Sequence, residues 1–337
     1  MRRSRPRSRR PPSRAPPRSS RPRPDQYRPA TICDALADRI LVLGATGFFG
    51  RSVAHGVVDA GYQLRVLARN PSAAAAFRVR GAEVLQGDAV EPAALAAACQ
   101  GCAAVVSLVA VRSNRPQTFI DVNIEAPRLL GEAAKAAGVT KVVYVSQIGA
   151  TPDARFKYLA SRWAGEQALQ RTGIPSTVLR FSYLLADDGG ITAYFERSVS
   201  TGPFAIIPGG GQQNSQPLVR EEAARCVIDA ISRGDLYGQT IDLGGPEVLS
   251  YEQLFEFFAA ARGVVKRRVK VPLPLLTPVV GIIGGVMSKP IITLDELITL
   301  SASSVAGNLD AVLTNFNFRP SSPSAWAQTH WRSRRTA

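Results

Sequence analysis

The chain has 337 residues, 45% of them apolar and 20% charged, enough to bury a sizeable core and ordinary for a globular protein. Its formal charge of +15 suggests a nucleic-acid binder, but eleven arginines and one aspartate in residues 1–30 leave only +5 for the rest. Four cysteines and two histidines are too few for a disulfide framework in a chain this long, for a His/Cys metal cluster or for a Ser-His-Asp triad.

Residues 1–36 are rich in Arg, Pro and Ser, with eight prolines in the first 30. The prolines break helices and there is little apolar surface to bury, so a disordered tail is expected. An organelle transit segment and a tether to nucleic acid or another acidic surface are the alternative readings. No apolar run follows the arginines, so secretion is not expected; the cytoplasm or an organelle matrix is.

The body starts with a buried strand, Arg39 to Leu43, that runs into a turn with glycines at Gly44, Gly47 and Gly50 and then a helix through Val53 to Val58. Strand, three-glycine turn and helix in this order point to a dinucleotide pyrophosphate seated on the helix N-terminus, with Thr46, Phe48 and Phe49 around it. Strands and helices then alternate: strand Gln63–Ala68, helix Ser72–Val79, strand Glu83–Gln86, helix Pro92–Cys99, strand Ala103–Val109, helix Phe119–Ala137, strand Lys141–Ser146, helix Arg155–Thr172 and strand Ser176–Arg180. Such alternation predicts an α/β fold, a Rossmann-type doubly wound parallel sheet. Cys99 and Cys102 have CxxC spacing, but with no second pair they read as two packed thiols rather than a redox or zinc site.

Beyond Phe181 the regularity weakens, and a smaller, mostly helical C-terminal lobe is expected. Gly209–Gln213 reads as a loop, Arg220–Ser232 as a helix, Thr240–Leu243 as a strand, Tyr251–Arg262 as a helix, and the remainder as helical with Pro and Gly breaks. The predicted division is a tail over 1–36, a nucleotide-binding domain over 37–250 with part of the substrate lobe inserted after about 185, and a helical lobe over 251–325. Val271 to Ser288 carry no charge, but the stretch is short for a bilayer and interrupted by Pro and Gly. A buried or interfacial helix is expected, with peripheral membrane association through 271–287 as one reading.

With Gly44-Ala-Thr-Gly-Phe-Phe-Gly50 in place, further segments follow in order: Gly87-Asp88, Asn123, Val143 to Ala150, Tyr158 with Gly165-Glu166, Gln216 to Val219, and Leu243 to Pro246. Together they resemble the extended and atypical short-chain dehydrogenase/reductases over roughly residues 38–320. The nearest likeness is to the NAD(P)H-binding branch that includes the accessory Rossmann subunit of mitochondrial complex I and its bacterial relatives. The resemblance implies that Asp88 bonds the adenine amino group and Ala110 lines the ribose side. The second strand ends at Arg69 without a carboxylate to repel a 2′-phosphate, so NADP(H) is expected over NAD(H); a solvated strand-end charge is the plainer reading of Arg69.

The resemblance also implies a catalytic Ser, Tyr and Lys, the last four residues after the Tyr. Here they would be Ser146, Tyr158 and, departing from the pattern, Arg162. Arginine keeps the charge and the ribose donors but is no point charge beneath a phenol, so the departure bears on turnover more than on cofactor binding. Tyr158 as a packed aromatic and Arg162 as a surface charge is the competing reading. Phe181, where relatives commonly carry Pro, is a second departure. Two functions follow: an NADP-dependent oxidoreductase or epimerase acting on a small carbonyl or hydroxyl substrate, and a non-catalytic nucleotide-binding subunit or assembly factor of a respiratory or quinone-linked complex, its partner a membrane-complex protein.

Overall fold

A computed structural model describes residues 38–113, 117–200, 202–286 and 293–332. The Arg-rich segment 1–36, Cys33 within it, and Met287 and Ser288 at the end of the uncharged stretch lie outside the described residues.

Seven strands build one sheet: β1 (Arg39–Leu43), β2 (Gln63–Ala68), β3 (Glu83–Gln86), β4 (Ala104–Ser107), β5 (Lys141–Gln147), β6 (Ser176–Phe181) and β11 (Thr240–Leu243). Their order is β11-β6-β5-β4-β1-β2-β3, and every pairing is parallel. The chain reverses direction across the sheet between β1 and β4, so the crevice at the carboxyl ends of these two strands is where a ligand binds in such sheets. Continuous Val, Ile and Leu in β1, β4 and β5 follow from cover on both faces.

One face is covered by α1 (Phe48–Asp59), with α7 (Arg220–Ser232) and α11 (Ala311–Phe316) in the same apolar core. The other is covered by α3 (Pro92–Cys99), α4 (Ala126–Ala136) and α5 (Lys157–Arg171). Short α2 (Ala75–Val79) enters through a 3-10 turn at Pro71–Ala74, so the expected helix Ser72–Val79 is two pieces, the first capped by Asn70. The expected helix Phe119–Ala137 likewise begins as a π-helical turn, Ile120–Glu125, before α4.

A third core holds the lobe. It joins β7 (Leu184–Ala186), α6 (Gly190–Ser200), β8 (Phe204–Pro208) and β10 (Leu218–Val219) to α8 (Tyr251–Arg262) and α12 (Pro323–Arg332). Two-residue strands β9 (Asn214–Ser215) and β12 (Leu249–Ser250) pair antiparallel beside it. α8 is fixed at both ends, by a capping box between Ser250 and Gln253 and by left-handed Gly263. The stretch after Arg262 is not all helical: β13 (Arg267–Val271) pairs in parallel with β8, and only then come α9 (Leu273–Val286) and α10 (Leu294–Thr299). Valines at 269 and 271, alternating with basic residues, suit a half-exposed strand, which is why the helical expectation fails there. The expected Gly209–Gln213 loop contains a 3-10 turn whose three glycines all have positive φ.

The CxxC pair is structural. Cys99 and Cys102 are buried free thiols, and burial pushes Cys99 up to about 12. Arg65 closes this end of α3 by donating to the Ala98 and Gln100 carbonyls. No cluster of metal-ligating side chains occurs among the described residues.

Candidate cofactor and catalytic site

The glycine turn lies where β1 feeds α1. Gly44 has φ +83°, and a Cβ on it would stand 3.2 Å from the Leu108 carbonyl carbon at the end of β4. Gly47 donates its N–H to the Gly44 carbonyl at 3.0 Å and caps α1 in extended conformation. A Cβ on Gly50 would sit 1.9 Å from the Gly44 oxygen, so the helix can leave the strand at this angle only with glycine there. Thr46 and Gly47 are exposed. No side chain caps the first turn of α1 and none in it is acidic, which leaves its N–H groups to an anion. These features fit a dinucleotide pyrophosphate.

The two phenylalanines of the turn part company. Phe49 packs inward, edge-on to Phe181 with ring centroids 5.5 Å apart. Phe48 lies against Gly189 and Gly190, where a Cβ would come within 2.8 Å of its ring, and the Arg220 guanidinium covers it at 4.9 Å. Asp188 receives Arg51 at 3.1 Å and also Arg220, so the 187–190 loop leans over the turn. None of this loop carried a signal in the sequence, because its partners are more than 130 residues upstream or on α7.

Arg69 is exposed at the end of β2 and donates to Gln117 Oε1 at 2.8 Å. Gln117 Nε2 in turn donates to Asp88 Oδ2 at 3.1 Å. Arg69, Gln117 and Asp88 thus form one hydrogen-bonded chain across this edge; sequence reasoning found its two ends and missed the glutamine between them.

The segment after β4 is pinned from both sides. Asn123, fully buried in the π-helical turn, accepts from the Val111 N–H and donates to its carbonyl, both at 2.9 Å, and also donates to Ser161 Oγ at 2.8 Å. Arg162 donates to the Val109 carbonyl at 3.3 Å and to that of Val145. Ala110, exposed between Val109 and Val111, is held at the rim of the crevice by these two clamps. Asn123 stood out in the sequence only through the resemblance. The close approach of its turn to α5 explains Gly165, whose Cβ would fall 1.9 Å from the Asn123 carbonyl oxygen.

Ser146, one residue before the end of β5, has its Oγ buried and without a hydrogen-bond partner. Tyr158, 7% exposed, packs beside Phe119 in a small apolar cluster with Leu159. Arg162 is 2% exposed, so it is no surface charge. Its guanidinium lies 4.8 Å over the Tyr144 ring. Glu166, one turn further, is held bidentately by Arg180 rather than by Arg162. Tyr158 and Arg162 therefore share one face of α5, and Arg162 is anchored to the residue that precedes Ser146.

Fold and crevice define a nucleotide-binding protein of the short-chain dehydrogenase/reductase type. The chain belongs to the NAD(P)H-binding family, whose model matches residues 44–232. It is similar to a photosystem II assembly factor of Cyanophora paradoxa, 29% identical over 141 residues, which are 42% of this chain and 44% of that protein. It is also similar to the mitochondrial NADH dehydrogenase (ubiquinone) 1 alpha subcomplex subunit 9 of Arabidopsis thaliana, 26% identical over 69% of this chain and 60% of that one. The chain therefore spans less than two thirds of the length of both relatives. Among solved structures, the NADPH-dependent quinone oxidoreductase QOR2 of Escherichia coli in complex with NADPH superposes with a TM-score of 0.70, at 20% identity over 86% of this chain and 99% of that one, a likeness of fold.

Proposed function

We propose that the protein is an NADP(H)-linked oxidoreductase for a small carbonyl or hydroxyl compound, with epimerisation through the same hydride step included in the class. The observation that carries this reading is the buried, unpartnered Ser146 hydroxyl on the strand next to the Tyr158 helix: a polar atom left without a partner costs about 1–3 kcal/mol, which a bound substrate oxygen recovers. NADP(H), held by the glycine turn and Arg69, would supply the hydride that the carbonyl carbon takes up. In reduction Tyr158 donates its phenolic proton to the carbonyl oxygen, and in oxidation it takes a proton from the alcohol. Ser146 holds that oxygen. Arg162 keeps a fixed positive charge on the Tyr158 side of α5 and holds the rim at Val109. The crevice residues assigned to the cofactor are Gly44, Thr46, Gly47, Phe48, Phe49, Gly50, Arg69, Asp88, Ala110, Tyr158 and Arg162.

The NADP(H) preference rests on Arg69, a charge at the strand end whose present partner is a neutral amide that a 2′-phosphate can displace. Arg69→Ala is expected to weaken NADPH by about 1–3 kcal/mol and NADH much less, read by fluorescence titration. Equal losses for both cofactors would remove the assignment. Native mass spectrometry of the purified protein adds an independent check, since a retained cofactor is expected to have the mass of NADP(H).

A second reading, a non-catalytic nucleotide-binding subunit attached to a membrane-bound complex, is favoured by an exposed apolar face. Along α9 Leu275, Val279 and Ile282 are 64%, 52% and 70% exposed, at helical spacing. On the outer side of the β8–β13 pair, Ile206 stands beside Val269, and Phe204 beside Arg267. Among the described residues no helix is long and apolar enough to cross a membrane. An apolar stripe with a basic strand before it instead suits the surface of an anionic bilayer. The full chain is expected to sediment with phosphatidylcholine–phosphatidylserine vesicles, less with phosphatidylcholine alone, and Leu275→Ser with Ile282→Ser to abolish it. No sedimentation with either vesicle would leave a protein surface, not lipid, as the partner of this face.

A further inference from the structure

Arg69 follows β2 and Asp88 follows β3, and these strands are neighbours in the parallel sheet, with Ala68 opposite Gln86. Both side chains therefore stand at the carboxyl edge of the sheet, where the crevice opens. Among the described residues neither forms a salt bridge; what joins them is the amide of Gln117. Its carbonyl oxygen accepts from Arg69 at 2.8 Å, and its N–H group donates to Asp88 Oδ2 at 3.1 Å. The other carboxylate oxygen of Asp88 accepts from the Val90 N–H at 3.3 Å, so Oδ2 is the one left for the amide. The backbone beside Gln117 is fixed by other contacts. Thr118 Oγ accepts from the Asp121 N–H at 3.0 Å, and Phe119 is buried against Tyr158, with ring centroids 6.2 Å apart. The Gln117 side chain can thus swing away while the segment that carries it stays in place.

The amide presents a donor to the carboxylate and an acceptor to the guanidinium. An adenosine 2′-phosphate presents the same pattern, with the adenine amino group as donor and the phosphate as acceptor. The two compete for the same partners, because a hydrogen bond made by one must be given up by the other. We propose, on the reading of Arg69 and Asp88 as cofactor residues, that Gln117 is a stand-in for the 2′-phosphorylated adenosine and sets the affinity for it. The nucleotide enters by displacing this one side chain from both groups. A nucleotide without a 2′-phosphate regains only the Asp88 contact. NADP(H) regains both, and it replaces the neutral carbonyl on Arg69 with a charged oxygen, the stronger acceptor.

Three ligands separate the contacts: adenosine 2′,5′-bisphosphate engages both groups, 5′-AMP engages Asp88 alone, and nicotinamide mononucleotide engages neither. Each is titrated by calorimetry into the full chain and into its Gln117→Ala variant. The variant is expected to bind the bisphosphate about tenfold and 5′-AMP about threefold more tightly than the parent, the sizes of two released hydrogen bonds and one. Affinity for nicotinamide mononucleotide and the melting temperature are expected to stay at the parent's values. Gln117→Glu, which sets a carboxylate against Arg69, is expected to weaken the bisphosphate about tenfold. An unchanged or weaker bisphosphate in Gln117→Ala, or equal gains for all three ligands, would overturn the stand-in. Arg69→Ala tests the underlying reading separately: a bisphosphate that keeps its advantage over 5′-AMP there would remove Arg69 from the 2′-phosphate, whatever Gln117 does. If the parent binds none of the three, fluorescence titration of NADPH and NADH reads the same contrast. Parent and variant that both fail to bind NADPH would overturn both readings.

Discussion

Gly50→Ala is expected to cost on the order of 3 kcal/mol of stability and to abolish measurable NADPH binding. The added methyl would lie 1.9 Å from the Gly44 oxygen and 2.9 Å from the Ala45 Cα. These are backbone atoms, which cannot swing aside as a side chain can, so α1 must tilt away from β1. The first-turn N–H groups then lose their aim at the pyrophosphate. Thermal melts with and without NADPH check both halves of this expectation. Two comparisons sharpen it. Gly61→Ala, at φ +88° with open space around it, should cost only about 1 kcal/mol of backbone strain. Gly47→Asp, at an exposed position, should leave the melting temperature near the parent's and still lose NADPH, because it places a negative charge where the phosphates sit. If Gly47→Asp binds NADPH as tightly as the parent, the dinucleotide site lies elsewhere.

Tyr158→Phe is expected to reduce turnover by about 10²–10⁴-fold on any substrate found in a carbonyl screen, with NADPH affinity little changed, since only the proton-bearing hydroxyl is lost. Arg162→Met serves as its structural counterpart. It removes the donors to Val109 and Val145 from a buried position, so a stability loss of about 2–4 kcal/mol and weaker NADPH binding are expected together. Arg162→Lys keeps the charge but has no planar fork to reach two carbonyls at once; it should lose part of that stability and retain turnover. A substrate reduced equally well by Tyr158→Phe would take Tyr158 out of the mechanism. Should no substrate emerge while NADPH stabilises the fold, the accessory-subunit reading gains, with the cofactor acting by mass action alone.

The parallel sheet was legible because β1 to β5 are short segments each followed by a helical one, and that alternation is a local pattern. The glycine turn was legible because its constraints are local: three glycines within seven residues answer to contacts with their own strand and helix. The pairing of β8 with β13 was not, since Phe204 and Arg267 meet across more than sixty residues and nothing local to either strand names its partner. Arg162 could be recognised as a departure from its relatives, but its use was hidden: a residue expected to lie under a phenol or on the surface is buried against two carbonyls, one within β5 and one in the segment after β4. Gln117 and Asp188 left no trace in the sequence, because an amide or a carboxylate acquires meaning only from the partner it finds in space.

The two walls of the dinucleotide crevice are held by different forces. The wall at Val109–Val111 hangs on neutral amide and guanidinium bonds from the buried Asn123 and Arg162, so its shape is set when the chain folds and no ordering entropy is left for the cofactor to supply. The opposite wall leans over the phosphates through Asp188 and two arginines, with roughly half of the Arg51 and Asp188 side chains in water. Contacts of that kind are screened within a Debye length of about 8 Å at physiological salt. Added salt is therefore expected to loosen the Asp188 contacts of the mouth and to leave the Val109–Val111 side as it is.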